Sequence, residues 1–201
     1  MSLVEMLVAI AIFIIGMEGF ALLFSRSWQA NRFTLEMGQA SLAASQGVGR
    51  MVNYARGAKQ SDNGSYPIVS ASNNDLVLYS DYDKDDITER LHFYKSSGKI
   101  IMGVTNPTSS MPKSYPSGDE QLITVVNNVV NGSGEPVFYY YNKDYPGDVV
   151  NNPLATPANV SDIRLVKIYL FVNIDIGRAP DNIKMESFVE LRNLNDYNRI
   201  D

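Results

Sequence analysis

The sequence predicts an α+β fold in which a long N-terminal α-helix packs on an antiparallel β-sheet domain. Three observations lead there. From Met1 to Phe24 the only charged residues are Glu5 and Glu18. Apolar or small residues then recur with helical spacing at Phe33, Met37, Ala40, Ala44, Val48, Met51 and Ala55. Beyond Gly64 the pattern changes to short runs of branched and aromatic residues separated by turn-forming ones. A chain of 201 residues accommodates one globular domain with an appendage. The expected parts are an apolar helix at 1–25, an amphipathic continuation at 26–58 and a β-rich globular part at 59–201.

As a helix rising about 1.5 Å per residue, the first segment reaches about 35 Å, enough to cross a hydrocarbon core of about 30 Å. A buried core helix is the alternative, but a domain of this size seldom hides a helix that is apolar on every face. A secretory signal would carry a basic region before the apolar run and small residues at a cleavage site, and neither is read here. The run is already under way at Met1, the arrangement expected had a basic leader been cut from in front of it. Glu5 stands out, because an acid inside a membrane segment costs roughly 2.5–3.5 kcal/mol on insertion scales and marks a functional position. Two partners are open for it. One is the α-amino group of Met1 on an adjacent copy, a pairing that would set axial register. The other is its own N-terminus or first-turn amides, where an acid also suits the helix dipole.

After Arg26, the first basic residue, polar residues at Gln29, Arg32, Glu36, Gln39, Gln46, Arg50 and Asn53 alternate with the apolar series. One helix of about 55 residues would be roughly 80 Å long. Gly38, Gly47 and Gly49 weaken it, and Gly57 with Ser61-Asp62-Asn63-Gly64 ends it. Strand-like runs follow at Asp75–Ser80, Arg90–Lys95, Lys99–Val104, Gln121–Val130, Pro136–Asn142, Ile163–Ile174 and Ser187–Leu191. The first two flank an acidic turn and form a hairpin, while Leu165–Asn173 is long and bulky enough for a central strand. Segments 105–120 and 142–160 hold six of the prolines, at 107, 112, 116, 146, 153 and 157, and read as surface loops.

The opening Met1-Ser2-Leu3-Val4-Glu5-Met6-Leu7-Val8-Ala9-Ile10 resembles the mature start of type IV pilins and type II secretion pseudopilins. Three later segments, 74–81, 136–141 and 189–194, look similar to larger minor pilins and J-type pseudopilins. The resemblance implies a type IV pilin-like fold, a leader removed by a prepilin peptidase, methylation at Met1, and assembly through Met1 and Glu5. It implies residence in the bacterial inner membrane before assembly, then a place in an extracellular or periplasmic filament. The partners implied are other copies of this chain or other pilins, joined through the N-terminal helix, and the pilus assembly machinery. Many members carry a proline near the end of the apolar segment, whereas the first proline here is Pro67. Gly16, Glu18 and Gly19 are therefore the expected melting stretch, each glycine costing about 1 kcal/mol relative to alanine. Close approach of neighbouring helices is the other use for those glycines. A singly anchored extracytoplasmic sensory or ligand-binding module is the alternative function.

Other chemistry is sparse. Asp81, Asp83 and Asp85 alternate in a turn, and calcium favours clustered oxygen ligands. They depart from the helix-loop-helix calcium pattern, since Asp86 stands where glycine is needed and His92 where the bidentate glutamate would be. A solvated turn partly neutralised by Lys84 is the expectation, with no cofactor. His92, the only histidine, lacks the companions of a transition-metal site. Tyr139, Tyr140 and Tyr141, with Tyr145 nearby, read as sheet packing. The triplets beginning at Asn63, Asn131 and Asn159 read as loops. No phosphate loop, nucleophile elbow or catalytic triad is read, so no enzymatic activity is expected. Net charge is −5, which argues against a nucleic-acid partner, and with no cysteine there is no disulfide or thiolate site.

Overall fold

Apolar residues at helical spacing, with no proline before Pro67, make one uninterrupted helix, α1 (Leu3–Arg56). The computed structural model describes residues 2–177 and 181–194. The chain divides into two units, Met1–Gln39 and Ala40–Asp201. In the first, the described side chains are exposed except those of Phe33 and Met37. The apolar stretch near its start is long and apolar enough to cross a membrane by length and composition.

The second unit takes the rest of α1 and all the strands. Gly57 closes the helix, donating its N–H to the Asn53 carbonyl at 3.0 Å. The strands are β1 (Ile68–Ser72), β2 (Asp75–Ser80), β3 (Glu89–Ser96), β4 (Lys99–Thr105), β5 (Gln121–Val126), β6 (Phe138–Tyr141), β7 (Leu165–Val172) and β8 (Ile183–Glu190). They form two antiparallel sheets rather than one: β1 to β5 as a meander, and β6-β7-β8 with β7 in the centre. The expected hairpin is β2–β3, with Leu78 opposite Leu91 and Leu76 opposite Phe93. Along β3 the side chains alternate, so Leu91 and Phe93 face the core while Arg90, His92 and Tyr94 face outward.

One core serves both sheets. Ala44, Val48, Met51, Val52 and Ala55 of α1 join a buried cluster with Leu78, Phe93 and Met102 of the larger sheet and Val166, Ile168 and Val189 of the smaller. This is the face set by the helical spacing of the sequence.

Three elements differ from the sequence reading. β1 carried no strand signal because Ile68-Val69-Ser70-Ala71-Ser72 is short and small-residue rich, and its ladder is bulged between Ile68 and Ser70. β5 stops at Val126 rather than Val130. Asn128 takes a left-handed φ of 58°, and Val129 turns away to bridge Val172 of β7. Conversely, β8 begins earlier than expected, because Ile183–Glu186 finds partners along the far half of β7.

Polar side chains tie the sheets where backbone pairing ends. The Phe171 N–H donates to Asn131 Oδ1 at 2.8 Å, and Asn131 Nδ2 donates to the Tyr169 carbonyl at 3.0 Å. The buried Tyr140 hydroxyl donates to the Ser72 carbonyl at 2.8 Å, joining β6 to the β1–β2 turn. Loop 106–120 is held through Tyr115, whose hydroxyl donates to the Thr88 carbonyl at 2.5 Å. Burial pushes the Tyr115 hydroxyl up to about 12.

Gly47 has a specific task. A methyl group built there would overlap the Val125 carbonyl oxygen and come within 2.7 Å of Val126 Cγ2. The helix passes so close to β5 that only glycine fits. Gly47→Ala should therefore destabilise the second unit by about 1–3 kcal/mol, despite alanine's better helix propensity. Urea unfolding of the full chain checks this, and unchanged stability would contradict the close approach.

Candidate functional site

α1 opens on a reciprocal pair. The Glu5 N–H donates to Ser2 Oγ at 3.3 Å, and the Ser2 N–H donates to Glu5 Oε2 at 2.7 Å. A serine followed three residues later by a glutamate is a capping box, which satisfies two amides that lack intrahelical acceptors. Of the two partners left open for Glu5, the single chain uses a first-turn amide. Glu5 Oε1 accepts no hydrogen bond among the described residues. The Ser2-x-x-Glu5 motif was legible in the sequence, although Ser2 was not singled out. Met1, the expected assembly and methylation residue, lies outside the described residues.

Gly16, Glu18 and Gly19 lie inside the uninterrupted helix and are exposed. A methyl group at either glycine meets nothing within 4 Å. The single chain is helical through this stretch, with room for another helix to approach.

At the acidic turn the structure regroups the candidates. Asp81, Asp83 and Glu89 place carboxylate oxygens within 4.8 Å of one another, a group that could hold a metal ion. Asp85 is not part of it; its Oδ1 accepts from the Ile87 N–H at 2.8 Å and shapes the turn. Glu89 was missed because it belongs to β3, outside the alternating acidic run. Two of the three acids already have partners. Asp81 accepts from the Lys84 N–H at 2.6 Å and lies 3.6 Å from Lys59 Nζ, and Glu89 accepts from the Tyr82 N–H at 2.7 Å. Those bonds brace the turn on either side of Asp83.

His92 lies on the outer face of the larger sheet between two acids, Nε2 at 2.6 Å from Asp75 Oδ2 and Nδ1 at 3.0 Å from Asp119 Oδ2. Gly103 sits across the ladder from it. A side chain there would overlap the Asp119 carboxylate, so glycine lets Asp119 reach over the strand. The ring therefore clasps β2 and the segment before β5 onto β3.

The tyrosines divide by strand alternation. Tyr140 is core, while Tyr139 packs edge-on against Tyr169 at 6.0 Å and Tyr141 meets Tyr145 at 4.3 Å. Lys167 Nζ lies over the rings of Tyr139, Tyr169 and Phe188 at 5.2–5.8 Å and pairs with Glu186 at 3.2 Å. These rings are occupied by one another and by that lysine.

Fold and site together define an α+β protein whose N-terminal helix is long and apolar enough to cross a membrane. Compared with protein-family models, curated proteins and solved structures, the chain matches none of them.

Glu89 is 2% exposed. Burial pushes its carboxyl above the ordinary range, and the charges of Asp83 and Asp85 push the same way, against the bond from Tyr82. A raised carboxyl favours the folded state while protonated, and that contribution is lost as pH rises through the folded value. Glu89→Gln should therefore raise the melting temperature at pH 7, with the difference closing below about pH 4, where glutamate is ordinarily protonated in the unfolded chain. Thermal unfolding at both pH values checks the sign, and a lower melting temperature at neutral pH would refute it.

Proposed function

We propose that this protein is a structural subunit of a type IV pilus-like or type II secretion pseudopilus filament, with a type IV pilin-like fold. It is inserted in the bacterial inner membrane, processed by a prepilin peptidase, and polymerised through α1 with other copies or other pilins by an assembly machinery. The filament lies outside the inner membrane, periplasmic or extracellular. The reading rests chiefly on one observation: an acid, Glu5, sits in a helix segment that is exposed throughout and apolar enough to cross a membrane. Moving such a helix from lipid to a bundle of like helices gains less than burial from water, so packing and charge pairing must decide the register. The Glu5 oxygen left over by the capping box supports that pairing, because a cation from another copy can meet it while Ser2 stays in place.

Two observations favour a singly anchored sensory or ligand-binding module instead. The Ser2 bonds account for Glu5 locally, and a cavity of about 510 Å³ bordered by Asn73, Asp75, Tyr94 and Lys95 offers a volume for a ligand.

Glu5→Ala separates the two. Under the filament reading it should cut filament yield by about tenfold or more, the factor that roughly 1.4 kcal/mol of lost pairing represents, while the membrane level of the subunit holds. Electron micrographs of sheared material beside immunoblots of membranes provide the measurement. A chain that stays dispersed whether or not Glu5 is replaced would establish the tether.

A further inference from the structure

The β1–β2 turn, the end of β3 and the loop that carries Pro157 border a cavity of about 510 Å³, and none of its lining residues belongs to α1. Its volume falls within the roughly 300–1,000 Å³ of small-molecule sites. The walls include Asn73, Asn74 and Asp75 from the turn, and Tyr94 and Lys95 from β3. His92 fixes two of these. Its Nε2 lies 2.6 Å from Asp75 Oδ2, and its ring packs against that of Tyr94 with centroids 4.6 Å apart. The chain holds the asparagines: Asn74 Oδ1 accepts from the Val137 N–H at 3.2 Å, and Asn73 Oδ1 accepts from Thr156 Oγ1. Walls held in place before a ligand arrives lower the entropic cost of binding.

The groups left uncommitted define the ligand chemistry. Among the described residues, the NH2 groups of Asn73 and Asn74 and the Tyr94 hydroxyl make no hydrogen bond. Lys95 Nζ donates to the Asn131 carbonyl, retains further protons, and has no carboxylate within ion-pair distance among those residues. Asp75 keeps lone pairs beyond those that face His92 and Ser70. Donors therefore outnumber acceptors, and one cation is uncompensated. That combination favours an anion rich in oxygen.

Other ligand classes meet less of this demand. A phosphate group is ordinarily cradled by the amides of a helix start or a glycine-rich loop, and no helix begins among the lining residues. A purely apolar ligand would meet only Tyr94 and Pro157 among these polar walls. A sugar ring needs what is present: an aromatic surface for its C–H face, and side chains that donate and accept around its hydroxyl edge.

We propose that this cavity binds an acidic saccharide, a sugar ring that carries a carboxylate. Lys95 and the asparagine amides receive the carboxylate, Asp75 accepts from ring hydroxyls, and Tyr94 packs on the ring. The site lies in the second unit and holds whether α1 enters a filament or remains a tether.

Saturation-transfer difference NMR on the full chain in detergent micelles tests this with galacturonate, glucuronate and N-acetylneuraminate as probes, beside galactose and acetate. At least one acidic sugar should show saturable transfer to its ring protons and bind about tenfold or more tightly than galactose, with no saturable transfer to acetate. Tyr94→Ala should weaken that binding about tenfold, whereas Tyr94→Phe, which keeps the ring, should cost a few-fold at most. Lys95→Gln, which keeps a donor for the Asn131 carbonyl, should abolish the preference over galactose. Absence of transfer to all three acidic sugars, acetate binding as tightly as they do, or an intact preference in Lys95→Gln would overturn the proposal. Glu5→Ala, which decides the filament reading, leaves this cavity untouched, so the two readings fail separately.

Discussion

The sheet-bearing unit is organised around the approach of α1 to β5 at Gly47, where the Val125 backbone occupies the place of a side chain. That approach works because the buried face of the helix is built from small residues there. Ala44 and Ala55 keep the helix low, and larger side chains such as Phe93 and Phe138 reach in from the sheets to fill the space. Alternation of small and large residues across a packed layer is what permits a single core between one helix and two sheets. A helix with leucine at those positions would have to lift away, and the strands would lose their common apolar face.

Two sheets sharing a core leave a joint where backbone ladders stop, and buried amides at a joint must find other partners. Here two side chains and one backbone carbonyl take that role. Asn131 imitates a strand residue toward β7, Tyr140 reaches from β6 to the β1–β2 turn, and the Asn73 carbonyl accepts from both Val137 and Phe138 at 2.9 Å. On the outer face, His92 and Gly103 act together in the same spirit: the missing side chain on β4 lets Asp119 cross to the imidazole. At these joints the polar residues act as structural fasteners.

The first unit follows the opposite logic. Its helix satisfies its own backbone, caps its own start through Ser2 and Glu5, and leaves its apolar surface exposed. A surface of that kind carries a large hydrophobic free energy that only lipid or other protein can relieve. Trp28 and Leu35 stay exposed past Arg26, so the unit keeps uncovered apolar surface there too.

Much of this was readable from local pattern. The 3- and 4-residue gaps from Phe33 to Ala55 located α1 and its buried face, and the strand-like runs Leu76–Tyr79 and Leu91–Tyr94 on either side of an acidic turn located the β2–β3 hairpin. Those signals are strong because burial on one face imposes a period on the chain. Glu5 was visible as an acid in an apolar run, and Ser2-x-x-Glu5 spelled out its local partner. The division of strands into two sheets, the end of β5 at Val126 and the strand at Ile68–Ser72 were not readable, since each depends on what lies alongside rather than on the segment itself. The same holds for the regrouping of Asp81 and Asp83 with Glu89 in place of Asp85, and for Gly47, whose value appears only when β5 is beside it. Sequence by itself determined which residues needed to leave water and with what period. The tertiary structure alone decided which of them met one another, because contacts between residues far apart in the chain are set by the shape of the whole core.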